Sequence, residues 1–512
     1  MERSGGRNKN LVLVAMIFAV AMMFIDQTIV SIAVPELQKD LSLSSTGVQW
    51  IVNGYLLSLS ALFAFGGRLA DIAGHRRMVL VGVIGFATAS ALCGATPTGG
   101  AGEAWIIFFR VVQGAFAAVL FPAALAIVVQ AFPLDERGKA MATFFGITGG
   151  LTAIGPLAGG YLTEYTWRAI FWVNVPVALI AVLLILRSKP DDARSPAPLD
   201  YRGTLLISGG MGLAVLGLQQ SATWGWSDPV TWLCIAAGLV LLVAFVFVER
   251  TTEHPLMDVR IFQSRPFTVD NVLLFLLSMA FVPLFFFASV YAQIALGDDA
   301  SQAGLYLLVF FGGFAAAAQV GGRILDKRGA RPAAVPGCLV AAIGFGLWAH
   351  KMTDLDFNAQ WHLVALTGIG TGLVLGPVST DALNRAKRGS YGEVTGITQT
   401  FRNFGASVGL AVLGTILTLQ NKAKVEETLS AAGLPKARAD QIADAISHAG
   451  GGSSSSFGGR TNPEEARLFG QIQMDFAQAC QVVFYVMAGV MLAAFLVALV
   501  GMASGKVEET VA

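Results

Sequence analysis

Fourteen long apolar stretches run along the chain, separated by short polar segments. They fall at roughly 11–34, 48–70, 78–95, 104–131, 139–163, 169–187, 203–221, 229–248, 267–295, 301–323, 332–349, 361–383, 393–419 and 475–501. A bilayer core needs about 20 consecutive apolar residues per helix. The stretches are rich in Ala, Leu, Gly and Phe, and none shows the alternating ten-residue pattern of an outer-membrane barrel. The pattern predicts an all-α polytopic membrane protein with fourteen transmembrane helices. The first stretch follows a short basic segment and is too long for the apolar part of a cleaved leader, so it reads as the first span.

Composition narrows the function classes. Only 13% of the residues are charged and 55% are hydrophobic, against about 25% charged in soluble domains. A net charge of +1 gives no footing for a nucleic-acid partner. Cys93, Cys234, Cys338 and Cys480 lie inside apolar stretches and read as buried thiols. The five histidines show no metal-ligand spacing, so no metal is expected. Gly501-Met-Ala-Ser-Gly505-Lys506 lacks the spacing and hydroxyl of a phosphate loop, so neither a nucleotide nor another cofactor is expected. No Gly-x-Ser-x-Gly or His-Glu-x-x-His occurs, and the chain does not read as an enzyme.

Basic residues set the direction of the spans. With the N-terminus inside, the inner segments hold Arg3, Arg7, Lys9, Arg76, Arg77, Arg137, Lys139, Arg187, Lys189, Arg194, Arg202, Arg250, Arg260, Arg265, Lys327, Arg328, Arg331, Arg385, Lys387, Arg388 and Lys506. The short outer loops hold only Lys39, Arg168 and Lys351. Both termini are therefore expected in the cytoplasm. The outer segment 420–474 stands apart. It predicts a helix near 422–431, a break at Gly433-Leu-Pro435, a second helix near 436–448 and a Gly451–Ser456 linker. Asn462-Pro463-Glu464-Glu465 then reads as a helix start ahead of the last span. The segment is either a lid over the outer mouth or a tolerated insertion.

One short motif occurs twice. Gly67-Arg-Leu-Ala-Asp71-Ile-Ala-Gly74-His-Arg76-Arg77 ends the second span, and Gly322-Arg-Ile-Leu-Asp326-Lys-Arg-Gly329-Ala-Arg331 ends the tenth. The 255-residue offset implies a doubled unit. It makes spans 1–6 and 9–14 equivalent and leaves spans 7 and 8 as an insert. The expected division is 1–190, 191–264 and 265–512. An aspartate at each inner helix end can pair with a neighbouring arginine or with the positive N-terminus of another helix. Gly67, Gly74, Gly322 and Gly329 permit close approach and tight turns. Contacts that form in one conformation and break in the other make these residues, with Arg76, Arg77 and Arg331, candidates for a cytoplasmic gate.

Two ionisable residues lie deeper. Asp26 falls past the middle of span 1 and Arg110 inside span 4. A charged side chain at that depth costs roughly 2.5–3.5 kcal/mol on insertion scales. Burial favours the neutral carboxylic acid and a nearby cation favours the carboxylate, so such a group can exchange a proton as its surroundings change. Arginine stays charged and can only tune that exchange. Asp26 is the predicted proton-coupling group. Phe24, Tyr55, Phe285, Tyr291, Arg402 and Asn403 are candidates to line a substrate cavity, and Asp381 reads as a solvated helix end.

The doubled motif, with Phe24-Ile-Asp26-Gln-Thr28-Ile-Val-Ser-Ile-Ala-Val-Pro35, Arg110-Val-Val-Gln113-Gly114, Gly155-Pro156-Leu-Ala-Gly159-Gly160 and Trp167-Arg168-Ala-Ile-Phe171-Trp-Val-Asn174-Val-Pro176, resembles the 14-helix drug:proton antiporter branch of the major facilitator superfamily. The chain departs from that pattern at Ile72, His75 and Leu151. The resemblance implies a proton-coupled efflux antiporter in the bacterial cytoplasmic membrane. It would export hydrophobic, often cationic, small molecules such as drugs or antibiotics. Its partners would be the substrate, protons and the lipid bilayer. The resemblance places spans 1 and 4 together, which implies that Arg110, with Gln113, tunes Asp26. Gly155, Pro156, Gly159 and Gly160 would form the motif associated with antiporters. A proton-coupled uptake symporter, and a lipid-export or accessory membrane protein, share enough of the pattern to remain alternatives.

Overall fold

The structure is a computed structural model that describes residues 9–192, 194–298, 300–386, 390–432, 435 and 463–507. Helices α1 (Lys9–Leu41), α2 (Ser45–Ala73), α3 (His75–Gly94), α4 (Gly102–Ala131) and α5 (Arg137–Tyr165) lead into α6 (Ala169–Trp172) and α7 (Asn174–Ser188). These last two make one span, broken at Val173. A hairpin of α8 (Tyr201–Trp224) and α9 (Pro229–Glu249) follows. The chain continues through α10 (Arg265–Tyr291), α11 (Ala300–Arg328), α12 (Arg331–Lys351), α13 (Phe357–Asn384), α14 (Tyr391–Ala431) and α15 (Pro463–Gly501). Among the described residues, thirteen helices are long and apolar enough to cross a membrane, and α5, with 29 residues, is a fourteenth long helix. No strand occurs among the described residues. The protein is an all-α, fourteen-helix membrane protein, in which every span satisfies its own backbone away from water.

Local chemistry explains several helix starts. Ser44, Asp200, Asp228 and Asp356 each accept a backbone N–H of the following turn. Proline occupies the first turn of α9, α10 and α12, where no intrahelical donor is lost.

The helices build two apolar cores. One draws mainly on α1–α5 and α7, the other on α10–α13 and α15. Two seams join them, α2 against α14 and α5 against α11. The α8–α9 hairpin leans on α2 and α14 through α8. Helix α9 turns Trp232, Leu233, Val240 and Phe247 outward, as a lipid-facing helix must. Gly238 packs so tightly on α8 that a Cβ would strike the Ala214 backbone nitrogen.

One boundary differs from the sequence reading. The expected end of span 13 and the helix near 422–431 are a single helix, α14, of 41 residues. Asn421, Val425 and Leu429 are buried at helical spacing and carry it onward. Thr428 meets Asp475 of α15 by a side-chain hydrogen bond. Both α14 and α15 exceed the roughly 20 residues that span a bilayer core, so they project beyond it. The second helix near 436–448, the Gly451–Ser456 linker and the cap at Asn462 lie outside the described residues.

Candidate functional site

Three helices meet at Asp26, which lies near the middle of α1 and is fully buried. Its Oδ2 accepts from an Arg110 terminal nitrogen at 2.5 Å, and its Oδ1 accepts from Gln113 Nε2 at 3.0 Å. Arg110 also donates to Gln113 Oε1 at 2.8 Å and, through Nε, to the Ile51 carbonyl at 2.8 Å. Its guanidinium stacks 4.5 Å from the Tyr55 ring centroid. The geometry follows from helical spacing. Arg110 and Gln113 are three residues apart on one face of α4. Gly114 lets α4 sit so close to α2 that a Cβ would meet the Tyr55 carbonyl and the Ser58 hydroxyl. A charge-assisted pair in a dry interior is strong while intact, and costly to leave half made.

The two repeated aspartates make matching contacts. Asp71 accepts backbone N–H bonds from Gly392 (2.8 Å) and Glu393 (2.6 Å) at the start of α14. Asp326 accepts from Gly138 (2.7 Å) and Lys139 (3.0 Å) at the start of α5. Each carboxylate therefore sits on the positive end of a helix distant in sequence, α14 for Asp71 and α5 for Asp326. Of the two partners expected for them, the structure shows helix N-termini, not Arg76, Arg77 or Arg331. Arg76 is half-buried, with no hydrogen bond to its Nε among the described residues, and Arg77 is exposed. Arg331 donates to the Ser504 hydroxyl and the Leu499 carbonyl.

Glycines set the approach distance. A Cβ on Gly67 would strike the Gly392 carbonyl oxygen, and one on Gly322 the Gly138 carbonyl oxygen. Gly74 (φ +102) and Gly329 (φ +87) turn the chain into α3 and α12 with backbones that L side chains rarely adopt. Gly67→Ala is expected to lower turnover about tenfold or more while leaving yield intact. Overpacking against backbone costs about 1–3 kcal/mol, and here it arises only where the two helix ends meet. Wild-type turnover in a transport assay of that variant would show that the close contact is dispensable.

Other partners are invisible in the motif itself. His75, at i+4 from Asp71, places Nε2 2.8 Å from Asp71 Oδ1 and is buried. Arg68 lies 3.6 Å from Glu393, whose second oxygen accepts the Asp258 backbone N–H at 2.7 Å. The Ser195 backbone N–H reaches the Asp71 carbonyl at 2.8 Å. The connecting segments on both sides of the α8–α9 hairpin thus touch this contact. Asp381, expected to be solvated, is buried. It pairs with Arg385 at 2.7 Å, and Arg385 stands 3.5 Å from buried Asp270. Asp270, in the second turn of α10, lies against Asp381. Arg137 bridges to Asn384 at 3.1 Å.

The remaining predicted residues separate. Gly155 faces Thr28 of α1, two residues beyond Asp26, and Thr28 donates to the Thr152 carbonyl at 2.9 Å. Gly159 is buried, and nothing lies within 4 Å of a Cβ on Gly160. The Pro156 side chain is outside the described set. Phe24 packs on Phe121, and Phe285 joins a ring cluster with Phe281, Phe310 and Phe311. Tyr55 belongs to the Arg110 cluster. Tyr291 donates its hydroxyl to the Met352 carbonyl in a separate buried network with Gln360. Arg402 and Asn403 are half-buried in α14. Among the described residues no group of His, Cys, Asp and Glu could hold a metal ion.

A family model described as Major Facilitator Superfamily matches residues 16–410. Among curated proteins, the chain is 35% identical to the tetracenomycin C resistance and export protein of Streptomyces glaucescens over 412 residues, covering 79% of this chain and 75% of the relative. It is 35% identical to the puromycin resistance protein pur8 of Streptomyces alboniger, covering 79% and 81%. It is 33% identical to the cephamycin export protein CmcT of Amycolatopsis lactamdurans, covering 76% and 81%. Among solved structures, the human organic anion transporter MFSD10 (TETRAN) aligns with a TM-score of 0.61 at 14% identity, over 96% of this chain and 99% of that one. The proton:xylose symporter XylE aligns with a TM-score of 0.56 at 12% identity, over 97% and 96%. These two likenesses show the fold alone.

Proposed function

Because the chain belongs to the major facilitator superfamily, a family of small-molecule transporters, we propose that it is an efflux antiporter exchanging protons for a hydrophobic small molecule. Export is supported by its relatives, whose names describe resistance to, or export of, tetracenomycin C, puromycin and cephamycin. The observation that carries proton coupling is the fully buried Asp26, held at membrane depth by Arg110 and Gln113. A carboxylate with one fixed cation and one amide switches between bound and free states when a proton or a change of hydration alters the balance.

The working cycle divides the chain into two rocking halves, 1–190 and 265–512, with 191–264 as an inserted pair. The face carrying Asp71 and Asp326 is the cytoplasmic one, as its arginine content favours, and both termini lie there, in a bacterial cytoplasmic membrane. With those contacts made, the cytoplasmic side is shut. Protonation of Asp26 from outside releases the substrate, and proton loss inside accompanies the next loading. Thr28, two residues beyond Asp26 on α1, faces Gly155 and transmits the change to α5, which meets the other half at α11.

Proteoliposomes holding the full chain under an imposed pH gradient test this directly. From a panel of hydrophobic dyes of both charges, those that are transported are expected to accumulate against the direction of proton flow, relative to protein-free vesicles. Accumulation along proton flow would make the protein a symporter, and gradient-independent equilibration would remove proton coupling.

A further inference from the structure

Three buried carboxylates in the spans each have a basic partner. Asp26 pairs with Arg110, Glu393 with Arg68, and Asp381 with Arg385 beside Asp270. Arg402 breaks the pattern. It lies eleven residues along α14 from Tyr391, within the apolar span, and among the described residues no carboxylate pairs with it. One terminal nitrogen donates to Gln399 Oε1 at 3.2 Å, while its buried Nε has no hydrogen-bond partner. The guanidinium stands 5.8 Å from the Phe145 ring centroid on α5. Helix α14 packs closely on α2 and α10, and the Arg402 side chain extends from it to meet α5 at Phe145. A guanidinium at this depth without an anion is costly. The Nε edge of its planar fork, which matches a carboxylate or phenolate oxygen, is left without an acceptor.

One turn further along α5, Gly149 faces an aromatic wall. A Cβ there would lie 3.2 Å from Phe311, which stacks on Phe285 at 5.2 Å. Residues 145 and 149 share one face of α5. That face therefore meets an unpaired guanidinium and, a turn away, flat apolar rings.

We infer that the transported molecule is an aromatic organic acid, a carboxylate or an acidic phenol, whose anionic oxygen docks on Arg402 while its rings lie against Phe311 and Phe285. The inference deepens the export reading and rests on it for the direction of transport, but not for binding. It opposes the preference for cations that the family resemblance implies. Asp26 offers a cation no free oxygen in this arrangement, since it commits both to Arg110 and Gln113.

Three probes with one ring system decide it: 9-anthracenecarboxylate, its carboxamide and 9-(aminomethyl)anthracene, titrated against the purified full-length protein by fluorescence. The carboxylate is expected to bind about tenfold or more tighter than the other two, as a charge-assisted contact at an enclosed site does. Arg402→Gln should erase that gap, and Arg402→Lys should narrow it several-fold. A cation bound most tightly, a gap that survives Arg402→Gln, or no carboxylate binding in the wild type would overturn the inference. If Arg402→Gln does not fold, an unchanged gap in Arg402→Lys overturns it. Carboxylate-selective binding with transport along proton flow would sink the export reading and leave this one standing.

Discussion

Asp26→Asn is expected to abolish uphill export while leaving equilibration down a substrate gradient in place. With one coupled proton, a gradient of one pH unit supports about tenfold accumulation, because one pKa unit is worth about 1.4 kcal/mol. An asparagine binds no proton in this range, so accumulation should fall to unity. The structural side of the substitution must be separated from the coupling. The neutral amide would leave the Arg110 charge without its counterion, and breaking a buried pair costs about 3–5 kcal/mol. The Ile51 carbonyl, Gln113 Oε1 and the Tyr55 ring remain to hold the guanidinium, which reduces that cost. The double variant Asp26→Asn with Arg110→Gln removes both charges. It should recover most of the thermal stability lost by the single variant and recover none of the uphill transport. Uphill accumulation in either variant, measured in sealed vesicles with matched protein content, would take the proton-coupling role away from Asp26. If the double variant stayed as unstable as the single one, charge balance would not be what holds these helices together.

Different parts of the molecule were legible in the sequence to different degrees, for physical reasons. The spans are legible because a bilayer forces each helix to announce itself by length and apolarity. Asp71 and Asp326 are legible because their surroundings repeat. Their partners are not, because a backbone N–H leaves no chemical signature. Arg137-Gly138-Lys139 and Tyr391-Gly392-Glu393 share only the glycine that admits the helix end. His75 is a departure from the family pattern that the structure turns into a partner, and its i+4 spacing from Asp71 was the one available sign. Asp381 reads as solvated because distance along the chain places it at a helix end. Burial there comes from α10, more than a hundred residues away in sequence. The break expected near residue 420 rests on the polarity of Gln420-Asn-Lys-Ala-Lys. The structure overrides it because Asn421, Val425 and Leu429 keep a buried stripe running. Tyr55 and Tyr291 show why an aromatic residue alone is a weak sign of a cavity, since both are committed to buried polar groups.

Asp71→Asn is expected to open the arginine-rich face far more than Asp326→Asn does. Both carboxylates accept N–H bonds on both oxygens, so an amide must turn its NH2 toward a backbone donor in either case. One bond is lost, and a donor is left facing a donor. Hydrogen bonds to charged groups contribute about 1.5–3 kcal/mol, and a carboxylate on a helix N-terminus adds up to about 2 kcal/mol where it is partly buried. The surroundings of the two sites differ. Asp71 is fully buried, with His75 as a third partner, and water cannot replace what the amide loses. Asp326 is half-exposed, so water can solvate the mismatched amide. A shift of about 2 kcal/mol moves a two-state population some thirty-fold. A reporter cysteine at Thr143 of α5, which now accepts from Gln319 of α11 across the seam, reads the opening. In a background with the four native cysteines replaced by serine, a water-soluble maleimide should label Thr143→Cys at least ten times faster in Asp71→Asn than in the parent, and only a few times faster in Asp326→Asn. Equal rates in the two variants would mean that burial does not set the strength of these contacts. An unchanged rate in Asp71→Asn would mean that the contact with α14 is not what keeps this face shut, and that Arg68–Glu393 and Arg137–Asn384 hold it instead.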